Sequence, residues 1–160
     1  MKILGVDPGS SRMGFGLIEK AGQKFALVET GVIEIREKDI GLKLVALARE
    51  FAALLARTAP DAIGMEKIFF SKNAKTAIEV AQARGVLMSL SLSAVGRENL
   101  LEFTPQEVKR AVTNWGGAEK KAVARMVALL LGIPQMKILD DATDALAVAI
   151  TAGNALRNAP

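Results

Sequence analysis

The sequence predicts one α/β domain spanning residues 1–160, built on a five-stranded mixed sheet (three antiparallel strands, then two parallel) flanked by helices. Three observations predict it. Three β-patterned stretches follow one another within the first 35 residues, joined by links of a few residues that permit only antiparallel pairing. From residue 40 onward, short apolar runs alternate with long runs of helical periodicity. The chain has 160 residues, 51% of them apolar, which is enough to bury one sizeable core.

Residues 3–6 form an apolar run stopped by the turn residues Asp7-Pro8-Gly9-Ser10-Ser11, which marks a first buried strand. Met13, Phe15 and Leu17 then alternate with Gly14 and Gly16, the pattern of a second strand with one bare face. Residues 25–35 are rich in β formers and follow the Ala21-Gly22-Gln23 turn. Leu44, Leu47, Ala48, Phe51, Leu54 and Leu55 recur at helical spacing ahead of Pro60. Residues 62–66 are a short fourth strand, and residues 73–93 a long helix with apolar side chains on more than one side. Residues 100–103 form the fifth strand. Thr104-Pro105-Gln106-Glu107 is a capping box with Pro at the first helical position. A helix over 118–131 ends at Gly132 and Pro134, and a last one covers 141–156.

Absences narrow the chemistry. There is no Cys, His or Tyr, so the usual zinc ligands, a thiolate or imidazole catalyst and a covalent phosphotyrosine route are all closed. Carboxylates, Ser, Thr and Lys remain, and clustered carboxylates suit hard ions such as Mg2+ or Mn2+. No apolar stretch is long enough to span a membrane and the N-terminus lacks the features of a signal peptide, so a cytoplasmic protein is expected. The net charge of +4 is unevenly spread. Residues 1–66 carry nine basic and nine acidic side chains, whereas residues 67–160 carry twelve and eight, so the excess that suits a polyanion lies in the second part.

Four acids stand where they can meet. Asp7 ends the first strand and Glu66 the fourth, and ligands of α/β sheets bind beyond the carboxyl ends of strands. Asp141 and Asp144 are three apart and share a helical face with Ala145, Val148 and Ala152, which should point toward the sheet. An unpaired carboxylate on such a face is costly unless a cation meets it. Taken singly, Asp7 also suits a turn, and Asp140 or Asp141 a helix cap; Asp140 is a rival ligand. Together, four carboxylates from three elements could hold two divalent ions about 4 Å apart, an arrangement that supports in-line phosphodiester hydrolysis without a His base. Gly14 and Gly16 either leave room beside Asp7 for a phosphate or backbone, or mark a bulge or tight packing. Phe69, Phe70, Lys67, Lys72 and Lys75 follow Glu66 closely and could stack on bases or hold phosphates, although one Phe suits packing under the next helix. Lys109, Arg110, Lys120, Lys121 and Arg125 could reach phosphates from later helices, or simply be solvated.

These residues resemble the RuvC-type Holliday junction resolvases, which have a ribonuclease H-like fold. The carriers are Ile3-Leu4-Gly5-Val6-Asp7-Pro8-Gly9-Ser10, Met65-Glu66-Lys67-Ile68-Phe69, Lys72-Asn73-Ala74, Gln82-Ala83-Arg84-Gly85-Val86, Val108-Lys109, Ala118-Glu119-Lys120 and Asp141-Ala142-Thr143-Asp144-Ala145-Leu146-Ala147. Their order and spacing cover almost the whole chain. The resemblance implies an endodeoxyribonuclease of DNA recombination and repair, a homodimer that binds a four-way junction and nicks two opposing strands symmetrically. It further implies Mg2+, with Mn2+ as a substitute, and partnership with the branch-migration proteins RuvA and RuvB. By position it assigns catalysis and metal binding to Asp7, Glu66, Asp141 and Asp144, and DNA contact to Phe69, Lys72, Lys109 and Lys120. Thr143 stands near the place where some relatives carry a His.

Other classes fit less well. An RNA-processing nuclease could use the same acids, but a two-fold-symmetric junction asks for the dimer that the doubly apolar helix after Asn73 suggests. A nucleotide-binding ATPase whose first strand also ends in Asp needs two lobes, and 160 residues supply one. A DNA-binding subunit without activity would have no use for all four acids.

Overall fold

The computed structural model describes residues 1–67, 74–134 and 140–156. The elements run β1 (Lys2–Asp7), β2 (Arg12–Ala21), β3 (Lys24–Glu34), α1 (Ile40–Thr58), β4 (Ala62–Glu66), α2 (Ala74–Val95), β5 (Leu100–Phe103), α3 (Pro105–Thr113), α4 (Lys120–Leu131) and α5 (Asp140–Ala155). The strands pair in the order β3-β2-β1-β4-β5. β1 and β3 lie antiparallel to β2, whereas β4 lies parallel to β1 and β5 parallel to β4. This is the expected mixed sheet. Among the described residues no helix is long and apolar enough to cross a membrane.

Local chemistry explains where the helices begin and end. The Asp39 side chain accepts from the Leu42 amide to start α1, and Thr104 and Glu107 form the reciprocal capping box of α3. Gly132, at φ +63°, closes α4 in the left-handed conformation that glycine adopts without strain. α4 starts at Lys120, two residues later than its periodicity suggests, and its N-cap Glu119 makes no side-chain capping bond.

Two cores form because strand side chains alternate between faces. Leu4, Val6, Met13, Phe15, Leu17, Ile63 and Met65 point toward α1 and α2. Ile3 and Ile18 join the opposite core with α3, α4 and α5. That second face carries a row of glycines where side chains would be expected. Gly16, Gly5 and Gly64 are neighbours across β2, β1 and β4, and Gly14 pairs with Asp7. A Cβ on Gly5 would stand 1.9 Å from the Ala145 carbonyl oxygen, and one on Gly14 would stand 2.0 Å from that of Asp141. At Gly64 it would reach the Ala152 Cβ and Val148 carbonyl oxygen at 3.0 Å each. The face that looks bare in the sequence is therefore covered by α5, whose backbone lies directly on the sheet. Gly14 and Gly16 serve tight packing, and the space beside them belongs to Asp141 and Leu146 rather than to a phosphate. α5 is buried on nearly every side from Ala142 to Gly153, as a small-residue helix held between a sheet and two further helices must be.

Because the atoms in the way at Gly5 are backbone, Gly5→Ala cannot be absorbed by a rotamer change. We expect it to cost at least the about 1–3 kcal/mol of an overpacked core. Gly85→Ala, in the open interior of α2, should gain up to about 1 kcal/mol from helix propensity. Urea unfolding of both variants checks this, and a Gly5→Ala protein as stable as the parent would contradict the packing described.

Candidate active site

The alternation that faces the glycines toward α5 also faces two acids there. Asp7 lies two residues beyond Gly5, and Glu66 two beyond Gly64, each one step past the last β1–β4 pair, Val6 with Met65. Both are half-buried. α5 enters over the same strand ends, so Asp141 and Asp144, one turn apart, arrive from above. The four expected acids thus come from β1, β4 and α5 to one end of the sheet. Asp140 does not join them: its side chain is 82% exposed, against 33% for Asp141 and 30% for Asp144.

Crowding leaves an electrostatic signature. Asp7 is pushed up to about 7, first by burial and then by the negative charges of Glu66, Asp144 and Asp141, with Lys120 opposing. Glu66 is likewise pushed up to about 7, by burial and by Asp144, with Lys120 and Lys109 opposing. The two α5 acids face cations of the chain itself. Arg12 Nε lies 3.0 Å from Asp141 Oδ2, and Lys120 Nζ lies 3.1 Å from Asp144 Oδ2 and 3.8 Å from Asp140. Hydrogen bonding to Asp144 and its charge raise the Lys120 ammonium above its ordinary range. Among the described residues, no three carboxylates are placed around a common point at ligand distance. The donor set nevertheless fits a hard divalent cation: all four groups are carboxylates, and the burial and mutual repulsion that raise Asp7 and Glu66 are what such a charge offsets.

Beside the acids lies a pocket of about 220 Å³ lined by Glu66, Lys109, Lys120, Asp144 and the apolar Pro105, Val108, Val123 and Ala147. Its mixed lining comes from α3, α4, α5 and the end of β4. Lys109 and Lys120 thus stand at the acids, but Lys120 is engaged with Asp144. Phe69 and Lys72 lie outside the described residues, as does Phe70.

Two residues without an assigned role prove to hold the site together. Arg84, on α2, donates through Nε to the Glu66 carbonyl at 3.2 Å and through Nη2 to the Glu102 carboxylate on β5. It fixes the end of β4 from behind the sheet. The Gln82–Val86 stretch contributes to the family resemblance, but nothing in its pattern points to the Glu66 carbonyl or Glu102 as partners of Arg84. Arg12 begins β2, and only the β1–β2 register, with Gly14 opposite Asp7, brings it over the first residues of α5.

The sequence profile of the family "Crossover junction endodeoxyribonuclease RuvC" matches residues 3–152. The chain belongs to the RuvC family of crossover junction endodeoxyribonucleases. It is 44% identical to the family protein of Syntrophomonas wolfei over 94% of this chain and 87% of the relative. Identity to that of Thermosipho melanesiensis is also 44%, over 93% of this chain and 94% of the relative. In three dimensions it is similar to Thermus thermophilus RuvC in complex with Holliday junction substrate, at a TM-score of 0.84 and 27% identity, covering 94% of this chain and 92% of the other.

The raised acids fix a pH dependence for the metal-free protein. Between the ordinary carboxyl range and about pH 7, the folded chain retains protons on Asp7 and Glu66 that the unfolded chain has lost. Stability must then fall as pH rises through that window and level off above it. Glu29, bonded to Arg57, and Glu107, in the capping box, are shifted downward, so their contribution changes only at lower pH. Urea unfolding in chelator should give a lower midpoint at pH 8 than at pH 5. Asp7→Asn should flatten that slope and exceed the parent in stability at pH 8. Parallel pH profiles for parent and variant would contradict the crowding.

Proposed function

We propose that this chain resolves four-way DNA junctions by nicking two opposing strands symmetrically, with Asp7, Glu66, Asp141 and Asp144 as its catalytic and metal-binding acids. The observation that carries this reading is the arrival of acids from β1, β4 and α5 at one sheet end, where Asp7 and Glu66 are raised by burial and by their acidic neighbours. Family membership and the likeness to a relative bound to a Holliday junction support the substrate. Metal dependence goes with the family; we assign it to Mg2+, with Mn2+ as a substitute and two ions per site. When bound, such ions activate water and stabilise the charge of the leaving oxygen. The chain's own residues bind and orient. Asp7 and Glu66 stand on strands tied into the sheet, with Arg84 holding the Glu66 backbone, so two ligands are fixed before DNA arrives. Lys109 and Lys120 place positive charge beside the pocket, where a phosphate of the substrate would lie.

The further assignments belong to the same proposal. Residues 1–160 act as one nuclease domain in the cytoplasm, as a homodimer with RuvA and RuvB as partners, and Phe69 and Lys72 contact DNA at the branch point. The exposed Ile78 and the open flank of Gly85 on α2 support a partner surface there. Sedimentation should give a dimer at micromolar concentration, and a monomer with and without junction would contradict it.

The acids are tested by Asp7→Asn, Glu66→Gln, Asp141→Asn and Asp144→Asn. Each should lower junction cutting in Mg2+ by at least about 1,000-fold, several kcal/mol of transition-state stabilisation, while junction binding in Ca2+ stays intact or tightens. Asp140→Asn should keep most activity because its side chain faces solvent. Robust cutting in excess chelator, or an active Asp144→Asn, would overturn the assignment.

A further inference from the structure

Trp115 is a large apolar side chain that the fold holds out into water. Its residue is 66% exposed, and it belongs to neither hydrophobic core. A single exposed indole can be incidental, but this one is held in place by three local devices. Asn114, at φ 62°, closes α3 with its amide bonded to the Arg110 carbonyl. The Thr113 hydroxyl accepts from the Trp115 amide at 3.2 Å and can donate to the Trp115 carbonyl at 3.0 Å. The Ala118 amide then donates to the same carbonyl at 3.2 Å. The indole lies along Gly117, where a Cβ would stand 2.9 Å from its Cζ2.

The surroundings select the partner. The loop joins α3 to α4, the helices that supply Lys109 and Lys120 to the pocket beside the acids. The exposed Arg110 guanidinium lies against Gly116, and Lys121 follows in the first turn of α4. None of Lys109, Arg110 and Lys121 forms an ion pair with a described carboxylate. A rigid, exposed aromatic flanked by unpaired cations is the composition of a nucleic-acid stacking platform: the ring takes a base or sugar face and the cations take the adjoining phosphates. A protein partner would be expected to meet an apolar patch around the indole, and here its neighbours are charged residues and glycines.

We infer that Trp115 is a DNA-stacking residue that engages the substrate strand beside the cut site, with Arg110 and Lys121 on its phosphates. The inference rests on the four-way-junction reading given above and adds to it a contact outside the acid cluster.

Trp115 is the chain's single Trp and there is no Tyr, so emission excited at the red edge reports this one side chain. The full-length protein is titrated with a fluorescein-labelled four-way junction in Ca2+, followed by anisotropy. A parallel titration with unlabelled junction follows Trp emission and its quenching by acrylamide. In free protein the indole should be fully accessible to acrylamide. At saturating junction its emission should fall and its accessibility drop at least two-fold. Trp115→Ala should weaken junction binding about 5- to 100-fold without changing the salt slope, and Trp115→Phe should recover most of the loss. Lys121→Ala should instead lower the salt slope by about 1. Saturating anisotropy with unchanged Trp emission and accessibility would overturn the inference while leaving the junction reading intact. An indole already shielded in free protein would overturn it too, by showing that a second copy of the chain covers it. Absence of any anisotropy change would sink both together.

Discussion

The site depends on how closely one helix can approach one sheet. α5 lies with its backbone against β2, β1 and β4, at distances that only glycine permits. A Cβ at Gly5 or Gly14 would fall about 2 Å from a carbonyl oxygen of α5. A helix packed on a sheet through ordinary side chains would stand several ångströms further off. Its acids would then miss those of the strands. Removing four side chains from the interface costs apolar burial at those positions, and the all-round burial of α5 against α3 and α4 offsets it. The glycine row that seats α5 therefore also seats Asp141 and Asp144.

That seating concentrates negative charge, and the fold handles it in two ways. On the strands, Asp7 and Glu66 keep their protons well above the ordinary carboxyl range, so the cluster does not carry its full charge. On α5, Arg12 and Lys120 lie against Asp141 and Asp144. A divalent cation can replace both kinds of compensation at once, releasing protons and competing with two side-chain cations. Metal uptake should thus be linked to pH and to the freedom of Arg12 and Lys120. Arg84 works from the other face, anchoring the Glu66 backbone to β5 through Glu102, so that repulsion within the cluster does not open the strand end.

Much of this was legible in the sequence, and the parts that were not share a physical reason. The succession of strands and helices, the Thr104–Glu107 box and residues 62–66 follow from local pattern, turn chemistry and capping. The convergence of the four acids was legible from their place at strand ends and on one helical face, helped by a family resemblance. Period-two alternation at Gly14 and Gly16 says only that a face is bare, not what covers it, so the pattern alone leaves their role open. Arg12, Arg84 and Trp115 depend on contacts made after β1 meets β2, α2 meets β4 and α3 turns into α4. Their spacing along the chain carries no trace of those partners. The start of α4 lies later than its periodicity suggests because Ala118 is buried like a residue of the helix yet precedes its N-cap, Glu119, which makes no side-chain capping bond to mark the boundary.

The central claim is that close docking of α5 crowds four carboxylates into one electrostatic unit. Carbon-detected NMR of the Asp and Glu side-chain carboxyls, assigned through Asp7→Asn and Glu66→Gln, reads this directly. In chelator, Asp7 and Glu66 should titrate near 7, and saturating Mg2+ should return both toward the ordinary carboxylate range. Ordinary midpoints in chelator, or midpoints indifferent to Mg2+, would show that the four acids do not form one cation-binding cluster.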